Sequence, residues 1–259
     1  MVDTNRAAEM LYQARRHHLL LETFAAELRP MDAETAYRIA DGVAQRVNLP
    51  LGGWKIGATN PKVMEMLGVA EPFIGRIFAP EILQSPARFA LNGSTGTLVE
   101  AEYIVRLARD LPARGKPYQR AEVEDAVAEM HIGMEIAQPH FRSGMATDGF
   151  SVMADNGSNA GEVIGPTVAN WRNADIAGQP VAIRVNGTVI TEGHGGNVMG
   201  HPLNALTWLA NQRVSCGDYL RAGQIVSTGS CAMVAWLKPG DRAEADFGAF
   251  GIATLDAIA

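Results

Sequence analysis

The chain reads as an α+β protein in which a helical N-terminal part precedes a sheet-rich core. Three observations predict this. The stretch from Thr4 to about Leu28 is rich in Ala, Leu, Glu and Arg and free of Gly and Pro, which favours helix. After Leu51 the texture changes to short apolar runs broken by Gly, Pro and Asn, as in sheets. Asn186-Gly187 then stands between two β-type runs, Val181 to Val185 and Thr188 to Thr191, the preferred signal for a type I′ hairpin.

The elements follow in order. A second helix opens at Asp32 as N-cap and runs, with Ala36, Ile39, Ala40, Val43, Ala44 and Val47 on one face, until Pro50. A soft boundary near Leu51 divides a helical N-terminal subdomain, residues 1–50, from the main domain, residues 51–259. Trp54-Lys55-Ile56-Gly57 is expected to be a strand leaving a Gly-Gly turn, and Pro61 to Leu67 a short helix. Strands are expected over Phe89 to Leu91 and Gly96 to Leu107, and a helix over Ala121 to about Met130. His131, Gly133 and Glu135 alternate with Ile132, Met134 and Ile136, which predicts a strand. Pro202 begins a helix with Leu203, Leu206, Leu209 and Ala210 as its buried stripe, and Gly217 stops it. Ile225 to Thr228 and Ala243 to Leu255 supply late strands.

Composition narrows the function. The 259 residues are 47% hydrophobic and 19% charged with a formal net charge of −6, and the mean hydropathy is −0.01. An acidic chain without a dense Lys/Arg run is a poor fit to nucleic acid or an anionic membrane. The two cysteines, Cys216 and Cys231, have no paired spacing, which fits a reducing compartment. With no signal-type N-terminus and no apolar stretch long enough to cross a bilayer, the expectation is a cytoplasmic protein.

Familiar catalytic motifs are missing. There is no His-Glu-x-x-His, Cys-x-x-Cys or Gly-x-Ser-x-Gly, and Gly193-His194-Gly195-Gly196 lacks the ending of a phosphate loop. What stands out is Val99-Glu100-Ala101-Glu102-Tyr103. On a strand Glu100 and Glu102 share a face, and two carboxylates so close resist joint ionisation unless a cation lies between them. The pair is either a solvated strand face or part of a site for a hard divalent ion such as Mg²⁺. Lys55 between Trp54 and Ile56 is either on an open strand face or a buried ammonium in need of a partner. Asp155-Asn156 is either a turn or the edge of a site. His201 either leads into a helix or faces a ligand, and His131 shares a strand face with Glu135. Thr228-Gly229-Ser230 is either a turn or a set of N–H groups offered to an anion.

Taken together, Gly53-Trp54-Lys55-Ile56-Gly57-Ala58-Thr59, Leu67-Gly68-Val69, Glu100-Ala101-Glu102, Ala154-Asp155-Asn156, Gly200-His201-Pro202-Leu203-Asn204-Ala205, Trp208-Leu209-Ala210-Asn211 and Thr228-Gly229-Ser230 resemble the 2-keto-4-pentenoate hydratase and 2-oxohepta-4-ene-1,7-dioate hydratase family. That family lies within the fumarylacetoacetate hydrolase superfamily. The resemblance covers nearly the whole chain. It implies a mixed β-roll core behind the helical N-terminal part and Mg²⁺ or Mn²⁺ held by Glu100, Glu102 and Glu135. It also implies a homo-oligomer, with a complex with a pathway enzyme as a further option.

One stretch departs from the pattern. Many family hydratases carry an aspartate after Leu-Gly-Val, whereas this chain has Glu71-Pro72-Phe73-Ile74-Gly75-Arg76, closer to the related 4-oxalocrotonate decarboxylases. The resemblance thus implies a hydratase of 2-hydroxy-2,4-dienoates (2-oxo-4-enoates) giving 4-hydroxy-2-oxo acids in aromatic catabolism, with a 2-oxo-3-enoate decarboxylase as the alternative. An acylpyruvate hydrolase is a weaker third, and a non-catalytic partner subunit is disfavoured by the retained glutamates and Lys55. In this reading Lys55 moves a proton, its pKa tuned toward neutrality by burial. Asp155 and Asn156 orient water or substrate, and Thr228, Gly229, Ser230 and His201 bind the small 2-oxo acid.

Overall fold

The computed structural model describes residues 2–91, 96–144 and 147–259. The helices are α1 (Thr4–His17), α2 (Ala33–Val47), α3 (Pro61–Leu67), α4 (Arg120–Glu124), α5 (Gly149–Ala154) and α6 (Pro202–Ser215). The strands run in chain order as β1 (Leu51–Gly57), β2 (Phe73–Phe78), β3 (Ile82–Gln84), β4 (Ala87–Ala90), β5 (Thr97–Leu107), β6 (Val127–Ala137) and β7 (Asn159–Thr167). They continue as β8 (Pro180–Val185), β9 (Thr188–His194), β10 (Ile225–Ser230), β11 (Ala235–Leu237), β12 (Arg242–Asp246) and β13 (Ile252–Ile258).

Two mixed sheets form the core. One has the order β2-β1-β10-β5-β6-β7-β3, with β11 also paired to β5, and the other has the order β4-β13-β12-β8-β9. Alternation along β5 decides where everything else lies. Val99, Ala101, Tyr103 and Val105 enter the large apolar cluster shared with Ala243, Ala245 and Leu255 of the second sheet and with Phe247 just after β12. The Tyr103 and Phe247 rings meet edge to face with centroids 5.0 Å apart. Glu100, Glu102 and Ile104 therefore point to the opposite face. There Ile104 joins Ile77, Ile164 and Ile225 in a smaller buried cluster.

The expected α+β architecture holds, with the helical N-terminal part, the Asn186-Gly187 hairpin and the Pro202 helix in place. Asp32 caps α2 by accepting a 2.7 Å hydrogen bond from Thr35 N–H. Two expected helices are shorter. The first stops at His17, where His18 turns left-handed, because Leu21 is drawn out to exchange backbone bonds with His140 and Arg142. Phe24 and Leu28 follow it into the helical cluster, so packing overrides local propensity. Residues 121–130 are split between α4 and the start of β6, since β6 extends to match the full length of β5. Gly52 and Gly53 lie inside β1, at a register shift against β2, instead of in a turn before it. The helix α5 and the strands β2, β3, β7 and β11 are additions. Among the described residues no helix is long and apolar enough to cross a membrane.

Candidate metal centre and active site

Glu100 and Glu102 leave β5 on one face, and Glu135 of β6 stands directly across from Glu100 in the antiparallel register. The three carboxylates each offer an oxygen within 4.8 Å of the others. Backbone geometry alone gathers them, because period-two strands in register place all three on one face.

Protein donors hold one oxygen of two of these carboxylates and leave the other free. Glu102 Oε2 accepts from Ser227 Oγ at 2.6 Å and from Gly229 N–H at 2.7 Å. Glu135 Oε1 accepts from Asn159 Nδ2 at 3.0 Å and faces Lys55 Nζ at 3.3 Å. Glu102 Oε1 and Glu135 Oε2 are buried with no hydrogen-bond partner. Buried carboxylate oxygens left so are costly unless a cation takes them, and an all-oxygen donor set suits Mg²⁺ or Mn²⁺. The residues present fit a divalent ion.

The charge pattern agrees. Burial, followed by the neighbouring Glu135 carboxylate, pushes Glu100 up to about 7. Glu102 is raised well above the ordinary carboxylate range, first by burial and then by Glu135 and Glu100. Burial by itself would lower the Lys55 pKa, but Glu135, Glu100 and Glu102 outweigh it and raise it. Beside three carboxylates that carry no cation, the direction is thus opposite to the one that burial alone would give.

Lys55 is buried on β1, between Ser227 of β10 and Gly75 of β2, and not on an open strand face. Its Nζ lies 5.3 Å from the centre of the Phe73 ring. Phe73 occupies the place where the resemblance would have put an aspartate. Gly157 closes over the lysine with φ +63°, and a Cβ there would come within 3.0 Å of Lys55 Nζ. Gly229 has φ +117°, and a side chain there would strike Thr59. The absence of a side chain is what lets the Gly229 N–H reach Glu102.

The other expected site residues separate into two groups. Ser230 and Glu100 line the same cavity as Lys55, of about 160 Å³, together with Thr59, Asn60 and Ser158. Asp155, Asn156, Thr228, Gly229 and His201 do not line it. Asp155 gives one oxygen to His140 Nδ1 at 2.8 Å and the other to the His140 N–H at 3.1 Å. Asn156 clamps β2, accepting from Arg76 N–H at 2.7 Å and donating to Arg76 O at 2.9 Å. The Thr228 hydroxyl donates to Tyr103 O at 2.8 Å. His201 caps α6 by accepting from Leu203 N–H at 3.1 Å, and burial lowers its pKa to about 4. His131 is engaged with Gly165 and Glu129. Asp155, Asn156, Thr228 and His201 thus make their polar contacts with backbone and with His140, outside the cavity.

Sequence reasoning missed Ser227, Asn159 and Glu162. Glu162 sits in Gly161-Glu162-Val163-Ile164, the same kind of apolar setting that drew notice to Glu102, and that signal was available.

The family profile described as fumarylacetoacetate (FAA) hydrolase C-terminal matches residues 78–256. The chain belongs to the fumarylacetoacetate hydrolase family. Among family members, it is 32% identical to the 2-keto-4-pentenoate hydratase of Paraburkholderia phymatum over 249 residues, covering 92% of each chain. It is 27% identical to a 4-oxalocrotonate decarboxylase of Pseudomonas putida over 190 residues, covering 73% of this chain and 71% of the other. A solved 4-oxalocrotonate decarboxylase from Pseudomonas putida G7, complexed with magnesium and adipate, superposes with a TM-score of 0.89 at 22% identity. That match covers 98% of this chain and 97% of the other, and it shows that the fold is shared.

Proposed function

We propose that this chain is a metal-dependent hydro-lyase that adds water to 2-hydroxy-2,4-dienoates and yields 4-hydroxy-2-oxo acids. One observation carries the reading: three glutamates gathered within 4.8 Å stand beside a buried lysine, and that lysine and Glu100 line a largely apolar cavity. The magnesium in the decarboxylase neighbour and the hydratase relatives support it.

Glu100, Glu102 and Glu135 would hold Mg²⁺ or Mn²⁺, which would supply stabilisation of the negative charge of an enolate. Lys55 is the proton carrier. It gives up its proton more readily once the carboxylates' charge is spent on a cation. Lys55 Nζ gives a proton to the far end of the dienol and takes up the one that the 2-hydroxyl releases, which leaves an α,β-unsaturated ketone, and water then adds its hydroxyl at C4 and its remaining proton at C3. Ser158 supplies a hydroxyl that orients water or substrate, while Ser230, whose hydroxyl donates to Ala232 O, offers only an acceptor oxygen there. Asp155 and Asn156 hold Gly157 and Ser158 against the lysine, and Gly229 and Thr228 hold Glu102 and β10.

The cavity wall favours a monocarboxylic substrate. Val63, Met66, Leu67, Val152 and Met233 line it, and Lys55 is its one cationic side chain among the described residues, with Glu192 also in the lining. An unsaturated hydrocarbon tail loses nothing there, whereas a second carboxylate finds no counter-charge. One observation favours decarboxylation instead: Phe73 beneath Lys55 provides no carboxylate to help activate water. Incubation with 2-hydroxypenta-2,4-dienoate and Mg²⁺ tests the reading. It predicts loss of the dienol absorbance and formation of 4-hydroxy-2-oxopentanoate, whereas inertness there with carbon dioxide release from a dicarboxylic dienol would replace it by the decarboxylase reading.

The reading extends to a cytoplasmic homo-oligomer. The unpaired cysteines Cys216 and Cys231 and the exposed apolar side chains of Ile190 and Trp236 are in keeping with it.

A further inference from the structure

Two donors share one oxygen of Glu135. Its Oε1 faces Lys55 Nζ at 3.3 Å and accepts from Asn159 Nδ2 at 3.0 Å, while its Oε2 is buried with no hydrogen-bond partner. The donors differ in kind. The pull of Lys55 is that of an ion pair and weakens whenever Nζ hands over its proton, whereas an asparagine amide keeps its N–H groups throughout. With Lys55 as the sole hold, the Glu135 carboxylate would be free to turn each time the lysine became neutral, and Oε2 would turn with it.

Asn159 is itself held firmly. It is wholly buried at the first position of β7. Its N–H donates to Asn156 O, and its carbonyl accepts from Arg15 Nη1 of α1 at 2.7 Å. Arg15 is tied down in turn, with Nη2 2.6 Å from Glu81 Oε1 and the guanidinium 5.6 Å from the centre of the Phe78 ring. The asparagine's own Oδ1 is buried without a partner, a cost that an apolar residue in this place would not incur. Among the described residues the bond to Glu135 is the one hydrogen bond that this side chain makes.

We propose that Asn159 is a positioning residue of the metal centre: its amide, with the backbone behind it anchored by Arg15, holds Glu135 Oε1 and leaves Oε2 free for the cation while Lys55 gains and loses its proton. The inference rests on the reading of Glu100, Glu102 and Glu135 as a metal site. It gives the helical N-terminal part a share in that site, because Arg15 of α1 holds Asn159 and Asn159 holds Glu135. Partners that orient metal ligands from behind typically change metal affinity by about 10- to 100-fold when removed.

The test is calorimetric titration of Mg²⁺ into wild type, Asn159→Ala, Lys55→Met and the double variant, with thermal melts of each in chelator. Lys55→Met alone keeps at least the wild-type affinity, since Asn159 still holds the carboxylate. Asn159→Ala weakens Mg²⁺ binding by about tenfold, because an ammonium that repels the cation is a poor substitute for the amide. In the double variant Glu135 has lost both donors, and removal of Asn159 now costs nearer to about 100-fold relative to Lys55→Met. An asparagine that merely stabilised the fold would cost the same factor with and without Lys55. A factor no larger without Lys55 therefore overturns the proposal, as does wild-type affinity in a folded Asn159→Ala. Should Asn159→Ala not fold, Arg15→Met decides: it frees the Asn159 carbonyl and weakens Mg²⁺ binding, and wild-type affinity in that variant overturns the proposal. Wild type that takes up no Mg²⁺ would overturn the triad reading itself.

Discussion

Lys55 Nζ lies 3.3 Å from Glu135 Oε1, with the two side chains 6% and 1% exposed. A buried pair of this kind is strongly destabilised when one partner is removed, by about 3–5 kcal/mol. Here the same lysine also feels Glu100 and Glu102. Lys55→Met is expected to lower kcat by about 10²- to 10⁴-fold and to lower Tm in chelator. Mg²⁺ affinity should hold or rise, because a competing positive charge has gone. Steady-state kinetics and calorimetry on the one variant separate these effects.

Metal binding should strengthen with pH. Glu100 has its pKa raised from 4.5 to about 7, so the folded chain holds a proton there that the unfolded chain has already lost. Its contribution favours the folded state below about pH 4.5 and is lost as the pH climbs to about 7. Mg²⁺ competes for the same carboxylate, so its affinity rises across that window. Melts at pH 5, 6 and 7.5, with chelator and with Mg²⁺, are expected to diverge progressively.

Asp155→Asn distinguishes positioning from proton chemistry. The carboxylate bridges the ring and the backbone N–H of His140, so its loss should cost about 1–3 kcal/mol of stability. Mg²⁺ affinity should stay near the wild-type value, because Asp155 touches none of the three glutamates. Chemical denaturation and calorimetry check the two statements.

Gly157→Ala places a Cβ at φ +63° and 3.0 Å from Lys55 Nζ. The backbone strain costs about 1 kcal/mol, and the lysine must move. The expected result is a fall in kcat of about tenfold or more, since small displacements of reacting groups are costly. Mg²⁺ affinity should be little affected.

Those features whose cause is local were legible in the amino-acid order. Glu100 and Glu102 share a face because strands alternate, Glu135 declares itself by the alternation around it, and Asn186-Gly187 makes its hairpin unaided. Features that depend on distant segments were not legible. His17 ends the first helix because Leu21 meets Phe141, and no pattern within the first 28 residues contains that contact. Asp155 and Asn156 stand together in the amino-acid order, but their partners His140 and Arg76 lie 15 and 80 residues away. Glu162 comes to face Glu135 only through the β6–β7 register, which the sequence does not state.

The central claim is that Glu100, Glu102 and Glu135 hold one divalent cation. Calorimetric titration of Mg²⁺ into wild type and Glu102→Ala tests it most directly. Saturable one-to-one binding in wild type and its loss, by about 100-fold or more, in the variant is the predicted result. Equal Mg²⁺ affinity in the two proteins would contradict the account.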